Sequence, residues 1–161
     1  MVSKDDFRSA VAHFATGVTV ITTVDDDGQP HAMTANSFTS VCMDPPVVLV
    51  CVAHGTNTFG FLEKAGRFGV NILRQEQEAL GAYFAKRPED RQGDVEYSYS
   101  PNKEGVPYLD DSMVFLSCNV VGSHVYGDHT IFLGEVQEVQ QHESGQPLMF
   151  YRSRWYNPGS D

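Results

Sequence analysis

The chain has 161 residues, the length of one ordinary domain, so its core needs no disulfide or metal to hold it together. Its formal net charge is −10, which opposes binding to the phosphate backbone of DNA or RNA and excludes a nucleic-acid partner. No apolar run approaches the roughly 20 residues of a membrane span, and residues 1–7 are charged, unlike a signal peptide. We therefore expect a single cytoplasmic domain over residues 1–161 with no membrane partner.

Several kinds of site are not indicated by the sequence. Cys42, Cys51 and Cys118 are far apart and odd in number, which argues against a disulfide framework or a zinc site. The histidines show no helical ligand spacing, so no metal is predicted. The sequence also lacks the G-x-G-x-x-G and G-x-x-x-x-G-K-[ST] phosphate loops and the G-x-S-x-G elbow of hydrolases.

The predicted elements begin with a helix that Ser3 caps, with acidic residues in its first turn. Its apolar residues recur at helical spacing until Gly17 stops it. A strand over residues 18–24 ends at the Asp-Gly turn signal of residues 25–28, and residues 31–41 pair back as the second strand of a hairpin.

The rest of the chain predicts mostly strands. The continuous apolar run over residues 47–52 is typical of a strand buried on both faces, and Thr56 begins the capping sequence of a short helix that ends near Gly66. A helix is predicted over 76–84, and the other strands are predicted over 68–73, 113–125, 130–140 and 148–151, the last after a turn at Ser144-Gly145. About seven strands joined mostly by turns favour a mainly β, antiparallel barrel with short flanking helices.

Residues 86–107 are polar and rich in turn residues, which is long for a loop in a compact domain and indicates a functional or mobile segment. Residues 33–40 place five hydroxyl or amide side chains within one predicted strand. Such groups are costly to bury without hydrogen bonds. The stretch is therefore either an exposed edge strand or a row of donors and acceptors that faces a planar polar ring.

Three further segments have both a structural and a functional interpretation. Residues 51–59 join a buried strand to a helix, and the free amides of the helix start form either a phosphate site or an ordinary cap. His129 follows a glycine turn, where it is either simply exposed or orients an amide ligand or supplies positive charge. Residues 150–156 alternate aromatic and cationic side chains. This pattern predicts either a C-terminal flap that covers the core or a surface on which a ring ligand stacks.

Taken in order along nearly the whole chain, these segments resemble the flavin reductase domain family, which includes the small reductase components of two-component flavin-dependent monooxygenases. The matching stretches are residues 7–22, 33–41, 44–46, 71–73, 127–136 and 147–152. The resemblance implies an FMN-binding split barrel of the antiparallel Greek-key type, a homodimer, and FMN or FAD held near the dimer interface.

The resemblance also implies a set of site residues. Those expected beside the flavin ring are Thr34, Ala35, Asn36, Ser37, Cys51 and Val52, without a redox role for the Cys51 thiol. Those expected at the ribityl and phosphate groups are Thr56, Thr58, Phe59, Ala85 and Lys86. Tyr151 and Arg152 match a C-terminal aromatic-basic pair at the site. His129 matches the histidine near the nicotinamide and is expected to hold the nicotinamide carboxamide or its phosphate.

The leading hypothesis is an NAD(P)H:flavin oxidoreductase that passes a hydride to FMN or FAD and supplies reduced flavin to a separate monooxygenase. One alternative is a non-catalytic flavin- or haem-binding split-barrel module. Another is a split-barrel oxidase of an organic substrate such as a pyridoxine phosphate, for which Lys86, Arg87 and Arg91 are the only nearby cationic cluster. The acidic composition favours NADH over NADPH, because an added 2′-phosphate is usually met by an arginine.

Overall fold

A long antiparallel sheet organises the protein in the computed structural model, which describes residues 1–142 and 145–156. The α-helices are α1 (Lys4–Val11), α2 (Asn57–Ala65) and α3 (Glu78–Phe84). The strands are β1 (Thr16–Gly17), β2 (Thr19–Val24), β3 (Pro30–Ala35), β4 (Phe38–Met43), β5 (Pro46–Ala53), β6 (Arg67–Ile72), β7 (Tyr99–Pro101), β8 (Pro107–Leu109), β9 (Val114–Tyr126), β10 (His129–Gln141), β11 (Met149–Tyr151) and β12 (Arg154–Tyr156). Single turns of 3₁₀-helix lie at Gln75–Gln77 and Pro88–Asp90.

The seven strands of the main sheet follow the order β3-β2-β6-β9-β10-β5-β4, with every neighbouring pair antiparallel. Because β3 and β4 are consecutive in the chain but lie at opposite ends of this order, the sheet curls until its two edges approach. Ala35 of β3 packs in the same core cluster as Val50 and Val52 of β5. The predicted mainly β, antiparallel split barrel is confirmed.

The prediction of one continuous strand over residues 31–41 is wrong. β3 pairs with β2 as far as Ala35, whereas β4 pairs with β5 from Phe38 onward. Asn36 and Ser37 form the two-residue link between these edges, and the Ser37 carbonyl accepts the Cys51 N–H at 3.2 Å. The chain changes partner strand here. Asn36 and Ser37 therefore lie where the chain crosses from one edge of the sheet to the other.

The predicted first helix is shorter than its apolar spacing suggests. Ser3 caps α1 by accepting the Asp6 N–H, as predicted, but the helix ends at Val11. Residues 16–17 instead pair with β11, and this pairing requires an extended chain before Gly17. No residue of α1 is buried, so the helix presents its apolar side chains to solvent.

The remaining predicted elements agree with the structure to within a few residues, except in the segment expected to be a loop. Residues 86–107 contain a 3₁₀ turn and most of the β7–β8 hairpin, whose turn is held by the Asn102 side chain accepting the Val106 N–H. Ser144 of the predicted turn lies outside the described residues. Among the described residues, no helix has both the length and the apolar character needed to cross a membrane.

Two clusters of buried side chains form the core on either side of the curled sheet. One fills the barrel around Phe68 and Phe132, and the other lies beneath α3 around Leu73 and Phe84. Buried Asn71 links several elements, since its amide donates to the Val20 carbonyl and accepts the Leu109 N–H. The core therefore gives β3, β5 and α3, which surround the candidate site, a fixed support.

Candidate functional site

Two adjoining cavities lie where β3, the start of α2 and the end of α3 meet. One has a volume of about 480 Å³ and the other about 250 Å³. Thr34 and Ala85 line both, so the cavities share a wall. The Thr34 hydroxyl donates to the Gly81 carbonyl at 2.7 Å, which ties β3 to α3 along that wall.

The larger cavity, called the polar cavity below, has hydroxyl and cationic side chains among its lining residues. Its walls include Thr56 and Thr58 at the start of α2 and Lys86, Arg87 and Arg91 after α3. These cations come from a chain that is acidic overall, so they form a local site of positive charge suited to an anion.

The start of α2 contributes main-chain donors to this cavity. Thr56 is the N-cap, but its hydroxyl donates to the Ala53 carbonyl at 2.8 Å and does not cap the helix. This differs from α1, where the Ser3 side chain accepts a helix amide. The first amides of a helix have no intrahelical acceptor, and together with the cations opposite they are suited to a phosphate.

His31 and Thr58 form a partly buried pair on the floor of the polar cavity. The His31 Nε2 and the Thr58 Oγ1 are 2.9 Å apart, and the imidazole packs edge-on against Phe61. Burial lowers the pKa of His31, the charge of Arg91 lowers it further, and Asp25 opposes the change. The imidazole is therefore kept neutral, and its hydrogen bond fixes the Thr58 hydroxyl.

The smaller cavity is mostly apolar and aromatic. Val18, Phe150 and Trp155 form its walls, and exposed Asn36 lies at its edge. Phe150 and Trp155 face each other across the β11–β12 hairpin with ring centroids 5.2 Å apart. Such a cavity is suited to the face of a planar ring, with one amide to hydrogen-bond the ring's polar edge.

Ser37, Cys51 and Val52 lie beside the cavities but do not line them. The Ser37 hydroxyl donates to the Cys51 carbonyl at 2.9 Å, so this side chain attaches the β3–β4 link to β5. Val52 is fully buried in the core, which leaves only its backbone to contact a ligand. Burial raises the pKa of the Cys51 thiol, which disfavours a reactive thiolate.

Phe59 also packs beside the site without lining it. Its ring centroid lies 4.7 Å from that of His54 and 6.1 Å from that of Phe132. The side chain therefore supports the first turn of α2 from the core side.

His129 stands at the start of β10, directly opposite Ala53, which lines the polar cavity. Its Nδ1 lies 2.7 Å from the Asp128 Oδ1, and hydrogen bonding to His129 lowers the pKa of Asp128. Because the carboxylate engages Nδ1, Nε2 is the ring atom left to meet a ligand. Among the described residues, Nε2 has no hydrogen-bond partner.

Tyr151 and Arg152 lie away from both cavities, beside α1. The Arg152 guanidinium donates to the His13 Nε2 at 3.0 and 3.2 Å, and the Tyr151 ring meets His13 edge-on. Arg152 and Ser153 both have positive φ, which directs Phe150 and Trp155 to one face of the hairpin.

The flavin-site residues expected from the sequence do not include several cavity residues, namely Val18, His31, Arg87, Arg91, Phe150 and Trp155. Arg87 and Arg91 were named only as members of a cationic cluster. The aromatic-basic stretch was recognised, but choosing Phe150 and Trp155 requires the register of a hairpin. That register depends on a turn without the usual Asn-Gly signal.

Comparison with known proteins agrees with this architecture. A family model described as the flavin reductase like domain matches residues 11–159. The flavin reductase (NADPH) of Lentzea aerocolonigenes is 41% identical over 150 residues, covering 92% of this chain and 86% of the relative.

Two solved structures are similar over almost the whole chain. The styrene monooxygenase flavin reductase (SMOB) of Pseudomonas putida S12 has a TM-score of 0.85 and 37% identity, covering 95% of this chain and 97% of its own. The NADH:FAD oxidoreductase SgcE6 of Streptomyces globisporus C-1027, solved with NAD and FAD fragments, has a TM-score of 0.85 and 33% identity, covering 100% of this chain and 99% of its own. This chain therefore belongs to the flavin reductase like domain family.

Proposed function

We propose that this protein is an NAD(P)H-dependent flavin reductase in which the two adjoining cavities hold FMN or the corresponding part of FAD. The observation that supports this most directly is the shared wall of Thr34 and Ala85, with aromatic side chains on one side and cations on the other. A flavin has the same polarity, with an aromatic ring at one end and a phosphate at the other.

The aromatic cavity receives the ring in this proposal. A flavin held there would supply the ring that takes the hydride of NAD(P)H, leaving NAD(P)⁺, and negative charge would develop at the polar edge of that ring. The Asn36 amide lies where it can donate to that edge, and a donor fixed before the reaction stabilises charge as it develops. Phe150 and Trp155 exclude water from one side of the cavity.

The polar cavity receives the phosphate. Lys86 and Arg87 line the same cavity as residues 56–58 at the start of α2, so phosphate oxygens bound there would have both cations and main-chain amides as donors. The Thr58 hydroxyl, which is hydrogen-bonded to the His31 Nε2, also lines this cavity.

His129 is placed to meet the nicotinamide. Asp128 orients the imidazole through Nδ1, which leaves Nε2 for the carboxamide or a phosphate of NAD(P)H. This role is one of positioning the hydride donor over the ring, since hydride transfer needs reacting atoms within about 3.5 Å.

We also propose that the protein acts as a homodimer. Phe7 and Phe14 near α1 are 65% and 76% exposed, and Val125 and Tyr126 at the tip of β9 are 68% and 71% exposed. Exposed apolar side chains support an interface, because contiguous apolar surface is usually covered by a partner. A sedimentation measurement at micromolar concentration should give twice the chain mass of 17.8 kDa, and a single-chain mass would contradict the dimer.

The reduced flavin is passed to a separate monooxygenase in this proposal. Support comes from a relative whose name assigns it to styrene monooxygenase. A coupled assay with a flavin-dependent monooxygenase should therefore show substrate oxidation that depends on both proteins and on NAD(P)H.

The central test is NADH and NADPH oxidation with FMN, FAD or riboflavin added. We expect oxidation that requires flavin, and an Asn36→Ala variant should bind flavin more weakly without loss of folding, because Asn36 is exposed. Asn119→Ala, at an exposed position of β9 outside both cavities, is the matched control. Flavin binding without any turnover would instead support a non-catalytic module.

A further inference from the structure

We infer that Arg91 is a positioning residue that fixes residues 86–91 against β3 and thereby directs Lys86 and Arg87 toward the start of α2. This inference rests on the proposed phosphate site and adds the device that assembles it. Arg91 acts through its neighbours, because its side chain donates to two backbone carbonyls, one on a strand and one within its own segment.

The guanidinium joins two walls of the polar cavity. Its Nη2 donates to the Ala32 carbonyl of β3 at 2.8 Å, and its Nε donates to the Lys86 carbonyl at 3.2 Å. The first bond reaches across the cavity to the strand bearing His31 and Thr34, and the second folds the segment back on the residue that precedes Arg87.

Aromatic rings hold the guanidinium in this orientation. Its central carbon lies 5.0 Å from the ring centroid of Phe84 and 5.7 Å from that of Tyr83. Phe84 is almost completely buried, so the surface against which Arg91 stacks is itself fixed by the core. A planar guanidinium can stack on a ring while its donors stay in a fixed arrangement, whereas a lysine ammonium has no plane to stack.

Residues 86–91 have few other attachments. Within the described residues, their other hydrogen bonds are local, from Lys86 to Tyr83, Asp90 to Arg87 and Arg91 to Pro88. The bond from Arg91 to Ala32 is therefore the one hydrogen bond, in the part of the chain that the structure describes, that joins this segment to a strand. Without it, the described hydrogen bonds of residues 86–91 would be only those within the segment and to the end of α3.

The charge of Arg91 also acts inside the cavity. Burial lowers the pKa of His31 and the charge of Arg91 lowers it further, which favours the neutral imidazole beside Thr58. Arg91 thus contributes to both walls, by position on one side and by charge on the other.

The test compares dissociation constants for FMN, which has the phosphate, and riboflavin, which lacks it, in the full-length protein and in Arg91→Lys. This variant keeps the charge but loses the fixed arrangement of the two donors and the stacking. We expect the FMN dissociation constant to rise roughly tenfold while that of riboflavin is unchanged. The salt dependence of FMN binding should also weaken.

Arg67→Lys is the matched control, because the Arg67 guanidinium lies beside Gly105 and lines neither cavity. In Arg67→Lys, the ratio of the FMN dissociation constant to the riboflavin dissociation constant should equal the wild-type value. Thermal melting of both variants checks that folding is intact.

Three outcomes would overturn the inference, and one of them also concerns the proposed function. If the ratio of the FMN and riboflavin dissociation constants is unchanged and both constants keep their wild-type values in Arg91→Lys, Arg91 does not position the cations. Parallel weakening of both ligands would show a general structural role. Equal affinity of the wild-type protein for FMN and riboflavin would contradict the phosphate site itself.

Discussion

The two cavities of the candidate site differ in how the chain builds them. The polar cavity is assembled by hydrogen bonds and charges, with His31 fixing Thr58 and Arg91 fixing the segment that contains Lys86. The aromatic cavity is assembled by packing, with Phe150 and Trp155 placed by a hairpin. The difference teaches that affinity for a ring and affinity for a phosphate should respond to separate substitutions.

The largest separation is expected from Trp155→Ala. Loss of this wall should raise the dissociation constants of riboflavin and FMN alike, by roughly 30-fold, since stacking on an aromatic side chain contributes about 1–3 kcal/mol. Fluorescence titration with both ligands measures the effect. Trp155→Phe should restore most of the binding, and weaker binding of FMN alone would contradict the assignment of the two cavities.

A smaller effect, confined to FMN, is expected from Lys86→Gln. Because Lys86 is exposed, loss of its charge should raise the FMN dissociation constant about fivefold and leave riboflavin unaffected. Lys103→Gln, on the β7–β8 turn, is the matched control. The same titrations at low and high salt would show the change only at low salt, and an equal change for riboflavin would count against the phosphate assignment.

His129→Ala should disturb neither cavity. We expect the KM for the nicotinamide to rise by a few-fold, with the dissociation constants of FMN and riboflavin nearly unchanged, because His129 lines neither cavity. Steady-state kinetics with fixed flavin measures the first and titration the second. Loss of flavin affinity would place His129 within the flavin site and remove its proposed role.

The smallest effect is a pH dependence of stability that arises from the polar cavity alone. Burial and then Arg91 lower the pKa of His31 below its usual value, so the unfolded chain binds this proton at a higher pH than the folded protein does. Above about pH 6.5, His31 is neutral in both states and does not change the free energy of unfolding. As the pH decreases from the usual pKa toward the lowered pKa, the free energy of unfolding falls, because only the unfolded chain takes up this proton.

Urea denaturation at several pH values measures the free energy of unfolding. As the pH decreases, this free energy should fall less steeply in His31→Gln than in the wild type. Trp155→Phe, in the aromatic cavity, should follow the wild-type pH dependence. If the free energy of unfolding falls equally with decreasing pH in all three proteins, His31 is not the cause of that fall.

Much of the fold could be predicted because hydrophobic runs such as residues 47–52 specify their strands locally. The failures occur where pairing between distant segments decides the conformation. Residues 31–41 have the composition of one strand, but two different partners divide them at Asn36. Similarly, β1 exists only because β11 is available to pair with it, and this pairing ends α1 early.

The candidate site shows the same division. Thr34, Asn36, Thr58 and Lys86 could be selected from sequence, and the structure places all of them in the two cavities. Arg91 was recognised only as one member of a cationic cluster, because its bond to Ala32 spans 59 positions. Whether the selected residues bind flavin remains a prediction for the experiments above.

The two-residue link between β3 and β4 leaves no slack in the chain. Side chains alternate between the faces of a strand, so one added residue would shift the inward and outward positions of β4 or displace Asn36 from its cavity. Insertions should therefore be far less tolerated here than in the Asp25–Gly28 turn at the exposed end of β2. The length of this connection, as much as its chemistry, limits how the protein can vary.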